Sequence, residues 1–147
     1  MPKPLDSLLQ DLLVTAHRLT RIAAQSTGST TPSAVWHTLA ILTSEGPLRV
    51  GDLARVARVT QPSMTKLVQQ LVEDDLVRRD ADAEDSRAWL ISIGPKGIAA
   101  LQDWRAELGR TLSPMFGDLT ADDIVTLERA IEILRTRTRT RAALRTA

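Results

Sequence analysis

The sequence predicts a mainly α fold with one small β-hairpin. Three observations carry that reading. Apolar residues recur at helical spacing over long stretches near both ends of the chain. Two shorter helical segments, separated by only a few residues, occupy the middle. Two short runs with strand character then flank an acidic loop.

The first helix is expected over residues 5–24, where Leu5, Leu8, Leu9, Leu12, Leu13, Ala16, Leu19, Ile22 and Ala23 form one stripe between polar positions. The stripe is wide enough to bury on two sides, as in a helix that packs on its own domain and on a partner. Thr31-Pro32 reads as an N-cap followed by proline in the first turn, opening a second helix that Glu45-Gly46-Pro47 stops. Asp52–Ala57 reads as a short third helix with Leu53 and Val56 inward. Thr60 caps the next one, Pro62 sits in its first turn, and Met64, Leu67, Val68, Leu71 and Val72 share a face. Residues 76–79 and 88–93 read as the two strands, joined by the loop from Asp80 to Arg87. A long helix opens at Gly94-Pro95-Lys96-Gly97, with Ile98, Leu101, Trp104 or Arg105, Leu108, Leu112 and Met115 inward and a kink or end at Pro114. Thr120-Ala121-Asp122-Asp123 resembles a capping box, and Ile124, Leu127, Ile131 and Leu134 are expected inward on the last helix.

Composition narrows the function classes. A hydrophobic fraction of 43% in 147 residues suffices for one folded domain, expected to span 1–147. The absence of cysteine removes disulfides, thiolate metal sites and thiol chemistry. His17 and His37 lie without Asp or Glu at ligand spacing, so no metal or other cofactor is expected. No apolar run approaches the roughly 20 residues of a membrane span, which makes a cytoplasmic protein without membrane contact the expectation. The net charge of +1 is uninformative, but its distribution is not: residues 49–79 carry net +2, residues 80–85 hold Asp80, Asp82, Glu84 and Asp85, and residues 129–147 carry net +5.

Helix, turn, helix, strand, loop, strand is the order of a winged helix-turn-helix, here expected over residues 33–93. The major groove of DNA admits one helix, whose leading side chains must be short enough to let the backbone approach and polar enough to read base edges. Thr60, Gln61, Pro62, Ser63, Thr65, Lys66 and Gln69 meet that requirement, with Arg58, Arg78 and Arg79 available for phosphates. The competing reading is a merely solvated face; the hairpin that follows favours DNA.

The run from Val50 to Gly97 resembles the multiple-antibiotic-resistance-regulator (MarR) family. The residues that carry the likeness are Asp52-Leu53-Ala54, the stretch from Val59 to Val68, Leu76-Val77-Arg78-Arg79, Asp85-Ser86-Arg87 and Ile93-Gly94-Pro95-Lys96-Gly97. The resemblance implies a homodimer built by the first and last two helices, here 5–24 and 95–147, and a pseudo-palindromic double-stranded DNA operator. It also implies that Arg87 lies near the minor groove with Asp85 as its orienting partner; a plain surface ion pair between them is the alternative. Three positions depart from the family pattern: Ser86 replaces a second basic residue, Arg58 a frequent turn glycine, and Val50 the usual Ser or Thr before the third helix. Asp80, Asp82 and Glu84 are expected to weaken the wing's hold by placing negative charge beside phosphates.

The resemblance further implies a small aromatic or anionic effector between the dimerising helices and the winged module, most commonly releasing a repressor. His17, Arg18, Arg21, Trp36, His37, Trp104 and Arg105 are the candidates, each of the tryptophans having core filling as its plainer role. No phosphate loop, serine elbow or paired catalytic carboxylate supports an enzyme. A winged module that binds protein through its acidic loop is the other competitor.

Overall fold

The computed structural model describes residues 1–146, and side chains as far as residue 139. Of the Arg-Thr segment near the C-terminus, the side chains of Arg141 and Arg145 therefore lie outside the described residues. The elements run α1 (Leu5–Ser26), α2 (Ser33–Glu45), β1 (Leu48–Arg49), α3 (Val50–Ala57), α4 (Gln61–Glu73), β2 (Val77–Ala81), β3 (Trp89–Ile93), α5 (Pro95–Leu112), a 3-10 turn (Ser113–Phe116) and α6 (Ala121–Thr146). The chain forms two compact units, one of residues 1–31 with 103–117, the other of 32–102 with 118–147.

The second unit holds the main core. Val35, Leu39, Ile41 and Leu42 of α2, Leu53 and Ala54 of α3, and Met64, Val68 and Leu71 of α4 are buried together with Val77, Ile91 and Leu101. The apolar positions read from the sequence of α4 are thus the ones that face inward. The sheet has the order β1-β3-β2 and is antiparallel throughout. Its β2–β3 register runs from Val77 opposite Ile93 to Ala81 opposite Trp89, so Val77, Arg79 and Ala81 share one face while Arg78 and Asp80 take the other.

The helix boundaries have local causes. Gly46 takes φ 78° at the end of α2 and donates its N–H to Leu42 O at 3.1 Å. The ends of α3 and α4 are matched Schellman motifs. Arg58 adopts φ 59°, ψ 41°, with Val59 N bonded to Ala54 O and Arg58 N to Arg55 O. Asp75 adopts φ 60°, with Leu76 N bonded to Leu71 O and Asp75 N to Val72 O. The capping box of α6 is reciprocal: Thr120 N donates to Asp123 Oδ2 at 3.0 Å, and Asp123 N donates to Thr120 Oγ1 at 3.2 Å. The bonds that the Thr120 hydroxyl and then the Thr120 amide donate to Oδ2 hold the Asp123 carboxyl below the usual carboxylate range.

Several expectations are corrected. Thr31 does not cap α2; Pro32 occupies that position in extended conformation, which leaves the Thr31 hydroxyl one residue too early. The third helix begins at Val50 rather than Asp52, because β1 feeds directly into it and Arg49 stands at the cap position without a side-chain bond. The strands are shifted to 77–81 and 89–93. Ile98, Met115, Ile124, Leu127 and Ile131, expected inward, are exposed in the single chain; Leu5, Leu8, Leu9, Leu12 and Leu13 of α1, whose stripe was expected to bury on its own domain and on a partner, are exposed in it too. Leu134 is half-buried. Proline 114 stands in the first turn of the 3-10 segment that ends α5.

Candidate nucleic-acid interface

The leading end of α4 is fixed by its cap. The Thr60 hydroxyl oxygen accepts from Ser63 N at 3.3 Å and its O–H donates to Ser63 Oγ at 2.8 Å. Pro62, with no N–H to satisfy, fits the first turn. Burial of Met64, Val68 and Leu71 turns the opposite side outward, and Gln61, Pro62, Thr65, Lys66 and Gln69 line one shallow groove on that side. Ser63 is tied into the cap, so its hydroxyl serves the helix start first. The Gln61 amide lies over the backbone of Gly51, whose added Cβ would sit 3.4 Å from Oε1. Gln70 lies on the exposed side but is bonded to Asp74.

The cations of this unit are unevenly engaged. Arg55 pairs with Asp52 at 2.5 Å and Arg49 with Asp82. Arg58, Lys66, Arg78, Arg79 and Arg87 are exposed and make no ion pair among the described residues. The sheet alternation sends Arg78 and Arg79 to opposite faces, so the two cannot serve one surface equally.

The wing loop is organised by its acids. Asp85 Oδ1 accepts from Arg87 N at 3.0 Å and Asp85 O accepts from Ala88 N at 3.0 Å. Asp85 therefore fixes the backbone at Arg87, and the guanidinium is left to solvent rather than folded onto the carboxylate. Asp82 is a correction to the expectation of a repulsive wing. Its side chain is only 9% exposed and accepts from Arg49 Nε at 2.8 Å and Nη2 at 2.6 Å. Bonds from the Glu84 amide and from Arg49 hold its carboxyl below the usual range, and Arg49 is held above its own. No sequence signal marked Arg49, because its partner lies 33 residues away.

Known proteins share this fold. The family model described as "MarR family" matches residues 32–89. The chain is 31% identical over 114 residues to the uncharacterized HTH-type transcriptional regulator Mb0904 of Mycobacterium bovis, covering 72% of this chain and 80% of that one. It is 27% identical over 101 residues to the uncharacterized HTH-type transcriptional regulator YdgG of Bacillus subtilis, covering 67% of this chain and 66% of that one. The chain belongs to the MarR family. Its fold agrees: a MarR family protein from Bacillus stearothermophilus superposes with a TM-score of 0.68 at 23% identity, over 94% of this chain and 98% of that one. Wild-type MarR from E. coli in its apo form gives 0.65 at 21% identity, over 91% and 98%. The chain thus carries the helix-turn-helix DNA-binding fold of a family of transcriptional regulators.

Among MarR family features, Arg58 accepts the left-handed conformation at the helix-turn-helix corner in place of glycine. Of the effector candidates, His17, Arg18 and Arg21 line one groove on α1 together with Leu13 and Val14. Trp36 is half-buried and packs against the core of the second unit, while His37 beside it is exposed. Trp104 is half-buried and Arg105 exposed on α5. No helix among the described residues is long and apolar enough to cross a membrane.

Proposed function

We propose that this chain is a sequence-specific regulator of transcription that binds double-stranded DNA as a homodimer in the cytoplasm, on a pseudo-palindromic operator. The observation that carries the reading is the exposed polar groove of α4, in the same unit as exposed cations of the helix-turn-helix corner and the wing that make no ion pair among the described residues. Gln61, Thr65 and Gln69 read base edges; Lys66, Arg58 and Arg78 meet phosphates, with Arg79, on the other face of β2, in a lesser part; Arg87 enters the minor groove, where narrow A·T tracts concentrate negative potential. Thr60, Pro62 and Ser63 present the helix start to the groove. The dimer is supported by the apolar residues that a single chain leaves exposed, Leu5, Leu8, Leu9, Leu12 and Leu13 on α1 and Ile124, Leu127 and Ile131 on α6. Residues 5–24 and 95–147 are the segments assigned to dimerisation, and residues 33–93 the DNA-binding module.

As a regulator of this kind the protein acts as a repressor released by a small aromatic or anionic ligand. His17 and Arg21 offer donors to a carboxylate, and Trp36, His37 and Trp104 are the aromatic candidates. The test is a mobility-shift titration with DNA from the gene's own upstream region, repeated with a panel of aromatic acids. Contact with six or more phosphates predicts a loss of affinity of about a thousandfold between roughly 50 and 200 mM salt. Salt-independent binding, or none, would overturn the DNA reading; binding untouched by every acid would remove the ligand clause alone.

A further inference from the structure

Asp82 stands where β2 passes into the wing loop, and its carboxylate and its amide are engaged. Oδ2 takes both Arg49 nitrogens, Oδ1 accepts from Glu84 N at 3.0 Å, and the Asp82 amide donates to Ala88 O at 3.0 Å. Arg49 belongs to β1, which pairs with β3 at Leu48 opposite Ile91 and Arg49 opposite Leu90, and it immediately precedes α3. One side chain therefore ties the base of the wing loop to the strand that launches the helix-turn-helix.

We infer that Arg49 and Asp82 are positioning residues, a clamp that holds the wing loop so that Arg87 is presented to the minor groove before DNA arrives. The inference rests on the DNA-binding reading above. Past the last ladder pair, Ala81 with Trp89, the loop has only its own turns and this clamp to order it. A long arginine on a loose loop must be immobilised on binding; a fixed loop removes part of that cost in advance. Arg49 is itself 42% exposed, so when Asp82 is neutralised the guanidinium charge stays in water and the cost to folding is small. Its effect should therefore appear in the wing's contact with DNA more than in stability.

Asp82→Asn is the informative variant, because the side-chain carbonyl keeps the Glu84 turn while the charge on Arg49 loses its partner. Affinity for the upstream duplex and hydroxyl-radical protection would be measured for wild type, Asp82→Asn, Arg87→Ala and the double variant, with thermal stability alongside. The clamp predicts that Asp82→Asn weakens binding about tenfold, from the ordering of one long side chain per copy. It also predicts loss of protection at the outer minor-groove edges and no further weakening once Arg87 is already Ala. Arg49→Lys, which keeps the charge with a poorer fork, should show the same pattern at smaller size and decides the matter if Asp82→Asn fails to fold. Losses that add independently of Arg87, or unchanged protection at the edges, would overturn the clamp. Failure of wild type to bind any duplex would instead overturn the reading beneath it.

Discussion

Replacing Arg58 by glycine should move stability and DNA affinity in opposite directions. Arg58 sits at φ 59°, ψ 41° in the Schellman stop of α3. A left-handed residue with a Cβ costs roughly 1–2 kcal/mol, which glycine avoids. Glycine also gives the unfolded chain more freedom, returning about 0.5–1 kcal/mol of that gain. The net expectation is a stabilisation of about 0.5–1 kcal/mol, or about 1–4 °C in Tm for a chain of this size. The same change removes an exposed cation from the corner beside α4. If each copy of Arg58 meets a phosphate, the slope of log affinity against log salt should fall by about 0.9 per copy. Scanning calorimetry at fixed protein concentration and fluorescence anisotropy across a salt series read the two quantities separately. A lower Tm would refute the backbone argument, and an unchanged slope would refute the phosphate role.

Gly97→Ala should destabilise strongly: a Cβ there would fall 2.2 Å from Leu76 O, which already accepts from Gly94 N, and 2.9 Å from Ile93 Cγ1. Overpacking of this kind costs about 1–3 kcal/mol or more, seen as a large drop in Tm. Asp123→Asn should lower Tm at neutral pH and progressively less in acid. The native carboxyl titrates below its unfolded value, so the advantage of the charged form is complete above the ordinary carboxylate range and disappears as pH falls through the lowered one; a difference in Tm that persisted to strong acid would contradict this. Gln61→Ala should relax base preference, whereas Arg78→Ala should weaken binding alike on all sequences, as competition titrations against scrambled duplexes would distinguish; the reverse pattern would exchange their roles.

The parts of the fold that could be read in the sequence are those whose causes are local. Thr60 with Pro62, and Met64, Val68 and Leu71 at helical spacing, define α4 from within its own thirteen residues and the cap before them. Thr120 and Asp123 are three apart, and their reciprocal bonds follow from that spacing. β1 escaped because two residues carry no periodicity; it exists through its pairing with Ile91 and Leu90. Asp82 was misread for the same reason: an acid in an acidic loop gives no sign that Arg49 lies against it. The exposed leucines of α1 were read correctly as apolar, but spacing cannot say whether a stripe is covered by its own chain or by a second one. The polar face of α4 was readable, yet the turn of Ser63 toward Thr60 and of Gln61 over Gly51 depends on rotamers and on a neighbouring helix.

The chain has no cysteine, so a single one can be placed at will. Thr65→Cys carrying a tethered DNA-cleaving reagent would report directly on whether the outward side of α4 enters the major groove. Entry of α4 into the major groove predicts strand breaks at two places about 10 base pairs apart, one for each copy of the helix. Cleavage absent from a protein that still binds, or scattered without that spacing, would contradict it.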